Sequence, residues 1–280
     1  MQSVAQAVDW LNILANSLGA ILLAPIAFLP GWLSATLVAA ATGILMLVIF
    51  KFTSNQRAIK RARDHIKVNL LALSLFKDSM AVSLRAQGRI VTSALHLALL
   101  AVVPMLVMVV PMCLLLSQMG LWYQARPIKV GEEAVVTLRL AGTADSSLPP
   151  VQLESAPGLE RTLGPVTVAS QRALCWNLVP REAGYHRLVF DVDGQKIEKE
   201  LAAGDGYMRV SLERPALDLS AVVLHPLERA FGPHSPVRSI EIEYPARSSW
   251  TSGTNSWVIY WFIASMVAAF AFRKALKVNL

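Results

Sequence analysis

Charge is scarce in this sequence, and two long stretches contain none. Charged residues make up 16% of the 280 residues, whereas soluble domains carry roughly 25%. Asp, Glu, Lys and Arg are absent from residues 11–50 and from residues 90–125, which are 40 and 36 residues long. A membrane-spanning helix needs about 20 apolar residues. The two stretches therefore argue against an ordinary soluble protein and predict membrane spans.

Residue patterns that support chemistry are also missing. The two cysteines, Cys113 and Cys175, lie in an apolar run and in a polar segment, so they form neither a disulfide framework nor a metal-binding spacing. The five histidines show no HExxH pattern, and the chain has no GxSxG, Walker-type or GxGxxG loop. We therefore expect no enzymatic activity, no catalytic or metal site and no cofactor.

Basic residues are absent before Lys51, and the segment that follows holds the excess positive charge. Residues 51–89 contain nine basic and two acidic residues, which gives +7 and equals the net charge of the whole chain. Loops rich in Lys and Arg are retained in the cytoplasm. This segment is therefore predicted to face the cytoplasm, where its charge meets the lipid bilayer. A DNA partner is not expected.

The rest of the topology is oriented from that segment. Residues 1–30 have only Asp9 and no basic residue, so we predict an interfacial or re-entrant helix with the N-terminus outside the cytoplasm. A full helical hairpin through residues 11–50 is the alternative. Three transmembrane helices are predicted at residues 31–50, 90–122 and 256–272. Pro104 and Pro111 are expected to kink the second of them.

Residues 51–89 are predicted to form a helical hairpin. Apolar residues recur at three- and four-residue steps from Ile59 to Leu73, with basic residues on the opposite side, so the pattern indicates an amphipathic helix. A turn is predicted at residues 76–79, with the next helix returning to the membrane. The residues expected to dock a partner or bind lipid are Arg57, Lys60, Arg61, Arg63 and Lys67.

Residues 123–250 have a different composition, in which acids return and apolar residues alternate with polar ones. Strands are predicted at residues 134–140, 173–179, 186–192 and 196–202. Asp193-Gly194 favours a type I′ hairpin turn between the last two, and proline-rich loops are expected at residues 145–165 and 225–236. The stretch from Trp176 to Gly194 resembles immunoglobulin-like β-sandwich domains of bacterial envelopes, which implies an extracytoplasmic β-sandwich.

The membrane half of the chain resembles the YidC-like membrane protein insertase superfamily. The order of an outside N-terminus, a span, a basic hairpin and two further spans carries this resemblance, ending in a basic cytoplasmic tail at residues 273–280. Unlike bacterial members, the chain has no arginine inside a span, and its β domain falls between the second and third spans. The resemblance implies a substrate groove, for which the candidates here are Ser34, Thr42, Ser93, His96, Met105, Met108 and Ser117.

These features predict an α+β protein of a bacterial inner membrane, with three transmembrane helices, a cytoplasmic helical hairpin and an extracytoplasmic β-sandwich. The resemblance implies that it assists the insertion or assembly of membrane proteins, with nascent membrane proteins or the ribosome as partners. The alternative is an envelope scaffold or accessory subunit whose β-sandwich binds a protein or glycan. The sequence leaves both functions open.

Overall fold

The chain is α+β, with long apolar helices and a β-sandwich-like sheet region. A computed structural model describes residues 2–75, 80–142, 147–249, 251 and 256–278. It divides into two compact units. The first comprises residues 1–35 and 113–260, and the second comprises residues 36–112 and 261–280.

The helices follow the hydropathy pattern of the sequence. The described residues contain α-helices α1 (Gln2–Leu22), α2 (Gly31–Thr53), α3 (Gln56–Leu75), α4 (Met80–Tyr123), α5 (Leu219–Leu224) and α6 (Ser256–Phe272). Short 3₁₀ helices occupy Ala24–Phe28 and Ala169–Gln171. The predicted turn at residues 76–79 lies outside the described residues.

Two of these helices are long and apolar enough to cross a membrane. They are α2, with 23 residues, and the 40-residue segment Leu84–Tyr123 of α4. The helix α4 continues through Pro104 and Pro111 without a break. The third predicted span coincides with α6, which is apolar but only 17 residues long. That length is at the lower limit for a span, so the third span stays a prediction. The orientation of the chain is also a prediction.

In the second unit, α2 and α6 approach each other closely at a glycine. A Cβ atom added at Gly43 would lie 2.2 Å from the backbone oxygen of Ser265. Thr42, beside it, is buried and donates its hydroxyl hydrogen to the Val38 carbonyl at 2.7 Å. The small side chain at position 43 therefore permits backbone contact between two apolar helices.

The α3 helix has the predicted amphipathic arrangement. Its buried residues are Ile59 and Ala62, which lie on the apolar stripe identified in the sequence. Asn55 precedes the helix, and its side-chain oxygen accepts a hydrogen bond from the Ala58 amide at 3.1 Å. This is the position of an N-cap, where a side chain satisfies an amide that has no helical partner.

The first unit contains two antiparallel sheets. The strands are β1 (Ala134–Leu140), β2 (Val151–Leu153), β3 (Leu159–Val168), β4 (Ala173–Pro180), β5 (Gly184–Val192), β6 (Gln195–Ala203), β7 (Glu213–Arg214) and β8 (Val237–Ile242). The order is β3-β4-β1-β8-β7 in one sheet and β2-β5-β6 in the other. One apolar core joins them, and across it the rings of Trp176 and Phe190 are 5.2 Å apart. The region is therefore sandwich-like.

The strand predictions are confirmed where residues alternate and wrong where prolines dominate. The four predicted strands are present as β1, β4, β5 and β6. Asp193 and Gly194 both have positive φ, as a type I′ turn requires. The predicted loop at residues 145–165, however, contains β2 and most of β3. Both are the outermost strands of their sheets, where proline is tolerated because one side of the strand needs no ladder hydrogen bonds.

Candidate functional site

A cavity of about 360 Å³ opens between α3 and α4 in the second unit. Its lining comes from both helices at helical spacings: Ala58, Arg61, Ala62, His65, Thr92, Ser93 and His96. Residues four apart share one face of a helix, so Arg61 and His65 point to the same side of α3. The structure thus brings together two predicted groove residues, Ser93 and His96, and one predicted docking residue, Arg61.

Most of the polar side chains that line this cavity have no hydrogen-bond or ion-pair partner among the described residues. Within the described part of the chain, the side chains of Arg61, His65, Ser93 and His96 form no hydrogen bond or ion pair, and no carboxylate lines the cavity. Thr92 differs, because its hydroxyl donates to the carbonyls of Gly88 and Arg89 at 3.1 Å. The cavity therefore offers hydrogen-bond donors and positive charge without an internal counter-charge.

The other predicted groove residues are not brought to this cavity. Ser34 is fully buried in the first unit, where it accepts a hydrogen bond from the Tyr123 hydroxyl at 3.1 Å and donates to the Gly31 carbonyl. Thr42 and Ser117 each donate to a backbone carbonyl of their own helix. These three hydroxyls therefore satisfy helix backbone or packing contacts.

The two predicted methionines lie on a different face of α4 from His96. Met105 follows His96 by nine residues, which is 2.5 turns of an α-helix, so it points to the opposite side. Its side chain is 63% exposed, while Met108 is half-buried. The predicted groove set is therefore divided: Ser93 and His96 share the cavity, and the methionines belong to the apolar surface of α4.

The predicted docking residues form an unpaired basic surface on α3. Arg57, Lys60, Arg61 and Lys67 are exposed. Arg63 is half-buried, and its buried Nη2 atom has no hydrogen-bond partner among the described residues. None of the five forms an ion pair in the part of the chain that the structure describes.

Ion pairs in the described residues belong instead to the first unit. They are Arg126–Glu132, Arg139–Glu241, Arg181–Glu160, Arg187–Glu198, Lys196–Glu154, Lys199–Glu228 and His225–Glu213. Six basic residues of the β region are therefore ion-paired, whereas none of the five predicted docking residues of α3 is, within the described part of the chain.

A buried lysine is the main polar feature that the sequence analysis missed. Lys199 lies on the inward face of β6 between the core residues Ile197 and Leu201, and its side chain is fully buried. Its ammonium donates to the Ser211 carbonyl and hydroxyl, each at 2.8 Å, and to Glu228 Oε2 at 2.5 Å. Burial lowers the pKa of Lys199, and the Glu228 carboxylate opposes that shift.

The free edge of β6 is covered mainly by side chains, and at its end by the backbone of Ile128, which accepts from the Gly204 amide and donates to the Ala202 carbonyl. Arg214 donates to the Glu198 carbonyl at 2.6 Å, Glu228 Oε1 accepts from the Glu200 amide at 2.9 Å, and the Tyr244 hydroxyl accepts from the Ala202 amide at 2.9 Å. These are successive outward-facing backbone groups of β6. An uncovered edge strand invites pairing with other chains, so this arrangement protects the sheet.

A polar cleft of about 500 Å³ follows the same edge. Five of its lining residues are cationic and three are acidic: Arg187, Lys199, Arg209, Arg214, Arg229, Glu198, Glu200 and Glu228. Burial raises the pKa of Glu200, and the nearby Glu228 carboxylate raises it further. Lys199 and Arg187 are paired with Glu228 and Glu198, so the cleft can accept a polar group.

The α1 helix packs against the β region through its polar side. Asn12 donates to the Val222 carbonyl at 2.8 Å, and Asn16 donates to the Pro226 and Leu227 carbonyls at 2.8 and 3.1 Å. The Asn16 side-chain oxygen also accepts a hydrogen bond from Gln118 at 2.7 Å. On the other side, α1 exposes Leu11, Leu14, Leu18, Ile21 and Leu22. An apolar face of this kind suits a membrane interface.

The described residues contain no group of three His, Cys, Asp or Glu side chains that could bind a metal ion. Both cysteines are free.

Comparison with known proteins gives no relative for this chain: no family model, no curated protein and no solved structure matches it.

Proposed function

We propose that this chain is a multi-pass inner-membrane protein that assists the insertion or assembly of other membrane proteins. In this proposal α2, the apolar part of α4 and α6 cross a bacterial inner membrane. The α3 hairpin faces the cytoplasm, and the β region folds as an immunoglobulin-like domain outside it. The hydropathy of α2 and α4 supports the membrane location, and the charge of residues 51–89 supports the orientation.

The observation that carries the proposal is the unpaired basic surface of α3. Arg57, Lys60, Arg61 and Lys67 are exposed and lack ion pairs within the described residues, and residues 51–89 carry nine basic residues against two acidic ones. A basic surface beside two apolar helices attracts anionic partners to the membrane. The acidic flanks of nascent membrane proteins and ribosomal RNA are partners of that chemistry.

The apolar surface of α4 supplies the second element of the mechanism. Leu99, Val103, Met105 and Leu106 are each more than 60% exposed. Met105 is flanked by proline at 104, and its flexible thioether can pack against varied apolar segments. We propose that a client first meets the basic surface of α3 and then lays its apolar segment against this part of α4.

The test combines crosslinking with charge reversal. A photoreactive residue at position 105 should crosslink to nascent membrane proteins in living cells. The triple substitution Arg57→Glu, Lys60→Glu and Arg61→Glu should abolish these adducts while the chain itself still resists alkaline extraction from membranes. The charge-preserving control Arg57→Lys, Lys60→Arg and Arg61→Lys should keep them. Unchanged adducts in the charge-reversed protein would reject α3 as the docking surface.

A second function, an envelope scaffold, is favoured by the cleft at β6. Its lining holds five cationic and three acidic residues, and its volume of about 500 Å³ suits a protein or glycan partner with polar groups. Under this proposal, function survives replacement of α3 by a neutral linker but is lost when the β region is deleted. Crosslinking from position 105 would then give no nascent clients, and crosslinking from Arg209 would give one stable partner.

A further inference from the structure

We infer that the cavity between α3 and α4 is a binding site for a phosphate group, with the headgroup of a membrane lipid as its resident source. The site consists of Arg61, His65, Ser93 and His96. It goes beyond the proposed function, because it requires only that α4 crosses a membrane and does not depend on insertion activity. It is also distinct from a general attraction of α3 to anionic lipid, since it assigns one phosphate to one defined cavity.

The chemistry of the lining selects a phosphate. Arg61 supplies a planar fork of donors that matches phosphate oxygens, His65 and His96 supply ring N–H donors, and Ser93 supplies a hydroxyl. None of these side chains is used elsewhere in the described part of the chain. The nearest acid in the sequence, Asp64, is exposed and is not part of the lining. A phosphate in the cavity can therefore accept hydrogen bonds from up to four side chains, and no carboxylate among the described residues lines the cavity to repel it.

The cavity has room for a headgroup. Ala58 and Ala62 form the α3 wall between the longer side chains, so the two helices leave open space of about 360 Å³. At about 30 Å³ per water in the liquid, this equals roughly a dozen waters. A phosphate and its adjoining glycerol or alcohol fit this space.

The position of the cavity along α4 places it at the level of lipid headgroups. At the far end of α4, Gln118, Met119 and Trp122 are buried within the first unit, so the lipid-facing part ends near Gln118. His96 precedes Gln118 by 22 residues, which is about 33 Å along a helix axis. The hydrocarbon core of a bilayer is about 30 Å thick. His96 and its neighbours therefore lie where the hydrocarbon core ends and the phosphates begin.

The test uses the full chain in detergent micelles and two substitutions that remove the same charge from adjacent positions. Arg61→Gln alters the cavity, and Lys60→Gln is the matched control, because Lys60 is also exposed on α3 but does not line the cavity. Retention of phosphatidylglycerol is measured by native mass spectrometry. We expect Arg61→Gln to weaken retention about tenfold, as for the loss of one charge-assisted hydrogen bond, and Lys60→Gln to change it less than about twofold.

Two further measurements test the cavity with a second variant and identify the source of the phosphate. His96→Leu should also weaken retention without altering the charge of α3. Inorganic phosphate that displaces the lipid, with the same dependence on Arg61, would support the phosphate site and assign it a soluble source. Equal effects of Arg61→Gln and Lys60→Gln would overturn the proposal, because only long-range charge would then be acting. Displacement of the lipid by an acidic peptide but not by phosphate would overturn it in favour of a carboxylate site.

Discussion

Replacing Lys199 with methionine removes a cation from the interior of the β region while keeping most of its volume. The side chain of Lys199 is fully buried, and that of its partner Glu228 is 16% exposed. In the variant, Glu228 keeps two donors, the Ser211 hydroxyl and the Glu200 amide, but its charge loses the ammonium. Removing one partner of a buried ion pair costs about 3–5 kcal/mol. We expect the lower end of that range, because the two remaining donors still solvate the carboxylate.

The assay is a urea titration of the purified full chain in detergent, with pulse proteolysis reporting the folded fraction of the β region. A loss of about 3 kcal/mol corresponds to a midpoint shift of about 1.5 M for a slope near 2 kcal/mol/M. Lys196→Met is the matched control: it removes a lysine from the same strand, but its pair with Glu154 is exposed, with side chains 66% and 41% accessible. An exposed pair of this kind adds little stability, so the control midpoint should hardly move.

A double variant separates charge from packing. Lys199→Met combined with Glu228→Gln leaves no buried charge, and the amide oxygen of the new side chain can still accept the Glu200 amide hydrogen. We expect the double variant to recover more than half of the lost stability, because the main cost is an unpaired carboxylate. If Lys199→Met were no more destabilising than Lys196→Met, the buried pair would not hold the fold. A double variant as unstable as Lys199→Met alone would show that the lysine acts through packing.

Two other predictions concern the helix contact and the pH dependence. Gly43→Ala should destabilise the full chain in detergent by about 1–3 kcal/mol, measured as a lower melting temperature, because its Cβ would overlap the Ser265 backbone oxygen; Gly88→Ala, where nothing lies within 4 Å, is the control, and equal effects would contradict the α2–α6 contact. The hydrogen bonds from Arg126 hold the pKa of Glu132 at about 2, below its ordinary 4.5, so this pair stabilises the fold above pH 4.5 and its contribution is lost as the pH falls towards 2. Glu132→Gln should flatten thermal stability across that window by at most about 1 kcal/mol, since the pair is open to solvent; an unchanged pH profile would contradict it.

Local patterns predicted much of the fold because each acts within a few residues. The alternation in residues 134–140 and the Asp193-Gly194 pair specify a strand and a turn without help from distant parts of the chain. Strand β3 could not be found in this way. Its sequence LERTLGPVTV contains Gly164-Pro165. That pair is acceptable in a strand because β3 lies at the edge of the sheet, beside β4, and because the pairing with β4 is irregular between Leu163 and Val166.

The candidate site, too, could be predicted from the sequence only where the pattern is local. The spacing of Arg61 and His65 shows from sequence that they share a face of α3, but which residues of α4 meet them depends on how the two helices pack. The sequence could have predicted the burial of Lys199, because a lysine between Ile197 and Leu201 in the alternating pattern of a strand has to point inward. Its acceptor could not be read in advance, since Glu228 is 29 residues away in an irregular segment.

That irregular segment shows that a loop in the sequence can be a fixed element in the structure. Residues 225–236 were predicted as a loop from their prolines, and no named strand or helix lies within them. On one side, however, Glu228 accepts hydrogen bonds from the Lys199 ammonium and from the Glu200 amide of β6. On the other side, the carbonyls of Pro226 and Leu227 accept hydrogen bonds from Asn16 of α1. Backbone groups inside a protein need partners, and here side chains from two other elements supply them. The segment is therefore held in place by long-range polar contacts, which is why α1 and β6 keep a defined relation within the first unit.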